Sequence, residues 1–266
     1  MNKKRFISFS GGVESTTMCI LYGRGATAIW CDTGAEHKEM YERMDKVEAR
    51  LKQIHGGDFE LKRIKPSVNT RLQPVTNIIH AAIYWKYLPS KRDRWCTKYF
   101  KILPIDNFLR EQGQCELLIG FNADEQPGRD RTGNFMACEN VDYRYPLHEE
   151  GYTREMCEDI LHDYDLHPDF PIYMSRGGCW MCMFKEVDEY KAMYFFDRSQ
   201  FEKGRKLEKR IQHRRKKFFS ISMSLRSMDD IAMECEREIA QWGEEECLKM
   251  YAKVKQTQSC GAFCHR

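Results

Sequence analysis

The chain has no run of about eighteen apolar residues, so no segment reads as a membrane-spanning helix and no membrane partner is expected. Residues 1–5 are basic but carry no apolar stretch of the kind an export signal needs, and a cytoplasmic setting is expected. Internal repeats and low-complexity linkers are missing, which leaves repeat arrays and long flexible tethers out. Neither sign of charge is in excess: the net charge is +3, too small to imply a nucleic-acid partner by itself. An apolar fraction of 42% and a charged fraction of 31% are those of a soluble globular protein. A length of 266 residues suits one large α/β domain with an appendage, or two small domains.

Cysteine, by contrast, is abundant, with 12 residues. A chain of this size without an export signal is not a compact secreted disulfide framework. Cys19 and Cys31 sit inside apolar segments and read as core, since a free cysteine behaves as a small hydrophobe. Cys96, Cys179, Cys182, Cys260 and Cys264 need a chemical account.

The most informative stretch is Ser8-Phe9-Ser10-Gly11-Gly12-Val13-Glu14-Ser15-Thr16-Thr17. It follows a short apolar strand-like run and precedes a helical one, the context a phosphate-binding turn needs. Adjacent glycines let backbone approach an anion closely. A helix opening at Glu14 or Ser15 presents unpaired N–H groups and the positive end of its dipole. Ser10, Ser15 and Thr16 add hydroxyls. A carboxylate beside phosphates needs a cation between, so Glu14 reads as a candidate Mg²⁺ contact. The lysine and wider glycine spacing of a Walker loop are missing.

Strand and helix alternate through the first half. Strands are expected at residues 4–9, 26–31, 59–64 and 116–121, and helices at 14–22, 38–54, 78–87 and 100–111. That alternation predicts an α/β fold, a parallel twisted sheet with helices on both faces, with ligands beyond the carboxyl ends of the strands. Residues 10–16, 32–34 and 120–125 fall there. Residues 153–165 read as a helix with Thr153 as N-cap and Met156, Ile160, Leu161 and Tyr164 on one face. From Glu186 onward the chain reads as helical, basic and aromatic. The expected division is a nucleotide-binding domain over residues 1–172 and a cysteine-containing, basic helical region over 173–266.

These blocks together resemble one family. Ser10-Gly11-Gly12-Val13-Glu14-Ser15 is similar to the SGGxDS loop of the PP-loop ATP pyrophosphatases, with Glu14 where the family has Asp. Asp32-Thr33-Gly34-Ala35-Glu36, Arg94-Trp95-Cys96-Thr97-Lys98 with Lys101 and Pro104, and Gly120-Phe121-Asn122-Ala123-Asp124-Glu125 with Arg129 resemble its phosphoadenosine-phosphosulfate (PAPS) reductase branch. So do Tyr145-Pro146-Leu147 and the segment from Pro171 to Gly178-Cys179-Trp180-Met181-Cys182. The resemblance implies an adenine nucleotide α-hydrolase-like fold. It implies phosphate contacts at Ser8, Ser10, Gly11, Gly12, Glu14 and Ser15, with Asp32 and Thr33 near the adenosine and Gly120 in the facing loop. Arg94, Lys98, Lys101, Arg129 and Arg131 are candidates to neutralise phosphates. Asn122 stands where the reductase branch often has Arg.

Related adenosine-phosphosulfate reductases hold an iron–sulfur cluster with a Cys-Cys pair and a distant Cys-x-x-Cys. Here Cys96, Cys179 and Cys182 match and Thr97 replaces one cysteine. An iron–sulfur cluster on three thiolates, a Zn²⁺ site completed by Cys260, Cys264 or a histidine, and metal-free thiols all stay open. Cys260-Gly261 resembles part of the terminal segment whose cysteine attacks the sulfonate in true reductases. The basic run of Arg205, Lys206, Lys209, Arg210, Arg214, Arg215, Lys216 and Lys217 reads either as a solvated helix face or as a track for a nucleic-acid backbone.

Three functions follow. One is an enzyme that cleaves ATP at its α-phosphate, releasing pyrophosphate, with Glu14, Lys98 and Arg129 catalytic and sulfur passed through the cysteines from a sulfur donor. Another is a PAPS or APS reductase with Cys260 as nucleophile and thioredoxin as partner. The last is a protein that binds the nucleotide without turnover.

Overall fold

The structure is a computed structural model and describes residues 3–125, 138–175, 177–222 and 224–252. Strands β1 (Lys4–Ser8), β2 (Ala26–Cys31), β3 (Glu60–Ile64), β4 (Cys115–Ile119) and β5 (Val141–Arg144) form one sheet in the order β3-β2-β1-β4-β5. Every neighbouring pair is parallel. Ser8 is in register with Ile29 on one side and Ile119 on the other, so the central strands end together. Chain order reverses between β1 and β4, and a crevice opens at such a switch point.

Alternation along β1 sends Phe6 and Ile7 to opposite faces. Ile7, Ala28, Trp30 and Leu118 join the larger core with helices α1 (Val13–Tyr22) and α2 (Lys38–Ile54). Phe6, Ile29, Leu117 and Ile119 join a smaller one, against Phe108 and Leu109. This is the expected α/β sheet covered on both faces. β5 was not anticipated: only Val141 of its four residues is buried, so it carries little apolar signal.

Helix α3 (Ile78–Trp85) is capped by Asn77, whose side chain accepts from the His80 N–H. The helix expected over 100–111 is broken into α4 (Trp95–Thr97), a π-helical turn over Lys98–Ile102, and α5 (Leu103–Arg110). Pro104 has no N–H for the carbonyl of residue 100, and the ladder widens so that the Leu103 N–H reaches the Lys98 carbonyl. After α6 (Pro146–Glu149), α7 (Arg154–Asp163) begins at the expected cap, Thr153 accepting from the Met156 N–H. Its buried face is Cys157 and Leu161; Met156 and Tyr164, expected inside, are 44% and 37% exposed. Beyond Glu186 the described residues form α8 (Val187–Phe196), α9 (Arg198–Arg215), α10 (Met228–Trp242) and α11 (Glu244–Tyr251). Their buried Tyr190, Met193, Phe201, Ile211 and Ile231 continue the larger core. No helix is long and apolar enough to cross a membrane among the described residues.

Candidate nucleotide site at the carboxyl ends of the strands

The turn after β1 is closed by its own hydroxyls. The Ser10 N–H donates to Ser15 Oγ at 3.2 Å and the Gly12 N–H to Ser10 Oγ at 3.4 Å. Ser15 Oγ and Thr16 Oγ1 donate to the Gly12 carbonyl at 3.3 and 2.7 Å. Gly11 adopts φ +75°, a conformation that favours glycine, with the free end of Met44 2.4 Å from where a Cβ would stand. Arg43 of α2 fastens the turn from behind. Its Nε donates to the Gly11 carbonyl at 2.5 Å and its Nη2 to the Leu166 carbonyl at 3.0 Å. Burial lowers Arg43 to about 10, which leaves it charged at neutral pH.

Glu14, in the first turn of α1, is held from two directions. Asn122, just past β4, donates Nδ2–H to Glu14 Oε1 at 3.0 Å. Arg154, the first residue of α7, donates from Nη1 to the same oxygen at 2.6 Å and from Nε to Glu158 at 2.7 Å. Burial opposes the charge of Arg154, but Glu14 and Glu158 hold it above the ordinary guanidinium value. Gly120 makes this approach possible, since a Cβ there would sit 3.2 Å from the Glu14 carbonyl carbon and the Ser15 nitrogen.

The turn after β2 joins the early and late motifs. Asp32 accepts from the Gly34 N–H at 3.0 Å and from Tyr41 Oη at 2.8 Å. Thr33 Oγ1 donates to Glu36 Oε1 at 2.7 Å and lies 3.3 Å from Cys179 Sγ. Backbone bonds from Trp180 N to the Ala35 carbonyl and from His37 N to the Gly178 carbonyl bring Cys179 to the end of β2. Asp32 and Thr33 thereby hold the turn and the cysteine loop; neither borders the cavity described below. His37 is 1% exposed, and among the described residues neither ring nitrogen has a hydrogen-bond partner; burial, then Lys185, lowers it to about 2. The cysteine loop is anchored at its far end, where Lys185 Nζ donates to the Tyr173 carbonyl at 2.7 Å and pairs with Glu189 at 3.5 Å. Glu189 also accepts from Ser175 N and Oγ.

These parts enclose a cavity of about 410 Å³, within the size range of small-molecule sites. Ser8, Ser10, Gly12 and Glu14 border it, with Arg94, Lys101 and Arg154. Gly11, Ser15, Thr16 and Gly120 support the turn from outside the wall. Lys98, expected among the phosphate partners, is exposed with its ammonium 5.3 Å from the Tyr99 ring centre, off the cavity; Lys101, also expected, borders it. Arg129, Arg131, Cys260 and Cys264 lie outside the described residues.

Cys96, Cys179 and Cys182 all border the cavity. Cys31, read as core, is buried there too and borders the same space, its Sγ donating to the Lys101 carbonyl at 3.5 Å. Burial, then Cys182, pushes the Cys96 thiol up to about 11, and burial with Glu36 pushes Cys179 well up. Without a bound cation these are thiols, not thiolates, at neutral pH. Among the described residues no group of three or more His, Cys, Asp or Glu side chains is gathered to hold one metal ion. Cys260 and Cys264, the expected fourth ligands of a Zn²⁺ site, lie outside the described residues.

Sequence reasoning missed Arg43, Arg154 and Cys31. Arg43 left a signal, being a cation inside the stripe of Met40, Met44, Val47 and Leu51 that α2 buries.

No curated protein matches the chain by sequence. Among solved structures, a phosphoadenylyl-sulfate (PAPS) reductase from Candida auris, in a phosphate complex, is similar at 14% identity over 63% of this chain and 75% of that one, with a TM-score of 0.43. The model of the phosphoadenosine phosphosulfate reductase domain matches residues 4–185, well over half of the chain. On that match the chain belongs to the phosphoadenosine phosphosulfate reductase domain family.

Proposed function

We propose that the chain is an adenine-nucleotide enzyme whose turn at residues 10–16 holds the phosphates of ATP, and that an acceptor oxygen attacks the α-phosphorus. The new bond joins that oxygen to phosphorus, the bond to the bridging oxygen breaks, and pyrophosphate leaves with the electron pair. Residues 1–172 would form the nucleotide domain and 173–266 a region that supplies the cysteine loop and the helical flank. One observation carries the reading: Ser10, Gly12, Glu14, Arg94, Lys101 and Arg154 border one cavity, so donors and cations face the place where charge develops in such a transfer. Glu14 and the phosphates would share Mg²⁺, which binds through few carboxylates plus substrate oxygens. Cys96, Cys179 and Cys182, which border the same cavity, would be the residues to hold an iron–sulfur cluster, and such a group would supply sulfur chemistry beside the nucleotide.

The test is pyrophosphate release from ATP under anaerobic conditions, with iron and sulfide analysis of the same sample. Release that disappears in Glu14→Ala supports the reading. A second reading, a phosphosulfate reductase, is favoured by the family match itself; sulfite release from PAPS that is lost in Cys260→Ser would establish it in place of the first. Tight ATP binding with neither product would leave a nucleotide-binding protein without turnover.

A further inference from the structure

The carboxyl half of α9 and the loop after α3 make one cationic face. Helix α9 buries Phe201, Gly204, Leu207 and Ile211. Lys206, Arg210 and Arg214 follow one another at four-residue spacing and are exposed, so they form a single stripe. The acids near the start of α9 are already committed: Glu202 pairs with Arg198 and Arg205, and Asp229 with Arg205 and Lys209. Glu208 is turned inside, accepting from the Ile221 and Met228 N–H groups. No acidic partner is recorded among the described residues for Lys206, Arg210, Arg214, Lys216 or Lys217. Arg215 Nε donates to the Lys86 carbonyl at 2.8 Å, and Phe219 meets Tyr87 edge-on at 5.8 Å. These contacts set Lys86 beside the end of α9. The next turn, closed between Ser90 and Asp93, exposes Lys91 and Arg92, with Asp93 its one acid. Pro89 and Arg94, on either side of that turn, border the nucleotide cavity. Phe218, 59% exposed, projects from the same end of α9.

We propose that this face docks a single-stranded nucleic acid and leads it to the cavity mouth between Pro89 and Arg94. Cations that outnumber the acids beside them repel one another and attract a polyanion. An exposed aromatic ring in a basic track stacks a base, which favours single strands over duplex. A membrane surface fits less well, because the apolar face of α9 is already buried in the core and offers nothing to lipid. In the adenylyl-transfer reading the acceptor is then a nucleic acid; that assignment rests on the proposed function, whereas the docking does not.

The test is fluorescence anisotropy of labelled RNA and DNA single strands of about twenty nucleotides, with no ATP present, across a salt series. Binding should weaken steeply with salt. The variant Arg210→Ser/Arg214→Ser/Lys217→Ser removes three phosphate contacts, so its log–log salt slope should be shallower by about 2 and its affinity near 0.1 M salt about 100-fold lower. Phe218→Ala should cost at least about five-fold. Lys38→Ser/Lys46→Ser/Lys52→Ser removes equal charge from α2 and should change affinity less than about three-fold. Far-UV circular dichroism checks that each variant folds. Two results overturn the proposal: a variant of α9 that binds like the α2 control, or tighter binding to phosphatidylserine vesicles than to either oligonucleotide. Strand binding without pyrophosphate release would keep the docking and remove the adenylyl-transfer reading.

Discussion

Arg154→Met removes the charge facing Glu14 and keeps most of the side chain's aliphatic length. The guanidinium Nη1 lies 2.6 Å from Glu14 Oε1, and the two side chains are 29% and 12% exposed. Unit charges with centres about 4 Å apart attract by about 4 kcal/mol at an effective permittivity near 20 and by about 1 kcal/mol in water. The pair lies between these limits, so a coupling of about 2 kcal/mol is expected. The assay is a double-mutant cycle in urea over wild type, Arg154→Met, Glu14→Gln and the double variant. Arg154→Met alone leaves the Glu14 carboxylate with Asn122 as its partner among the described residues. Adding Glu14→Gln should recover most of the loss, because an amide needs no counter-charge. The same four proteins titrated with ATP in EDTA give the functional half. On the proposed nucleotide reading, phosphates would compete with Glu14 for Arg154, so Glu14→Gln should tighten metal-free binding and Arg154→Met should weaken it. A coupling below about 0.5 kcal/mol is what solvent-screened pairs give, and it would refute the idea that Arg154 balances the Glu14 carboxylate.

Glu189→Ala leaves Lys185 buried without its counter-ion and should cost about 3–5 kcal/mol in urea denaturation; adding Lys185→Met should return much of it. Gly120→Ala pushes a methyl to 3.2 Å from the start of α1; it should cost about 1 kcal/mol in stability and lower ATP affinity by calorimetry. Burial, partly offset by the Ile221 and Met228 N–H groups, raises Glu208 from 4.5 to about 7. Between those values the folded protein keeps a proton that the unfolded chain has released. Stability should therefore fall as pH rises through that window, by up to about 3 kcal/mol, and the slope should vanish in Glu208→Gln.

Much of the fold was legible because its signals are local. Ile7, the run from Ala28 to Cys31, and Leu117 to Ile119 are apolar stretches bounded by turn residues, and they became β1, β2 and β4. The turn at residues 10–16 was legible for the same reason, since its glycines and hydroxyls satisfy one another within a few residues. The break in the helix over 100–111 was hidden because Pro104 is tolerated near a helix start, and its effect falls on the carbonyl ladder one turn earlier. Lys101, and not Lys98, borders the cavity from that turn.

What reaches the turn from far along the chain was not legible by pattern, yet two residues broke local rules where they act. Arg43 occupies a buried stripe of α2, where a cation persists only if acceptors are built around it. The carbonyls of Gly11 and Leu166 are those acceptors. Arg154 sits at the amino end of α7, where the helix dipole disfavours a cation. It is stabilised there by Glu158 one turn on and by Glu14, which is 140 residues away in sequence. A cation at that end of a helix is stabilised by anions nearby, and besides Glu158 the anion it meets is Glu14, the carboxylate of the turn at residues 10–16. The two oddities of the sequence, an acid in a turn of glycines and hydroxyls and a base at a helix start, thus pair with one another.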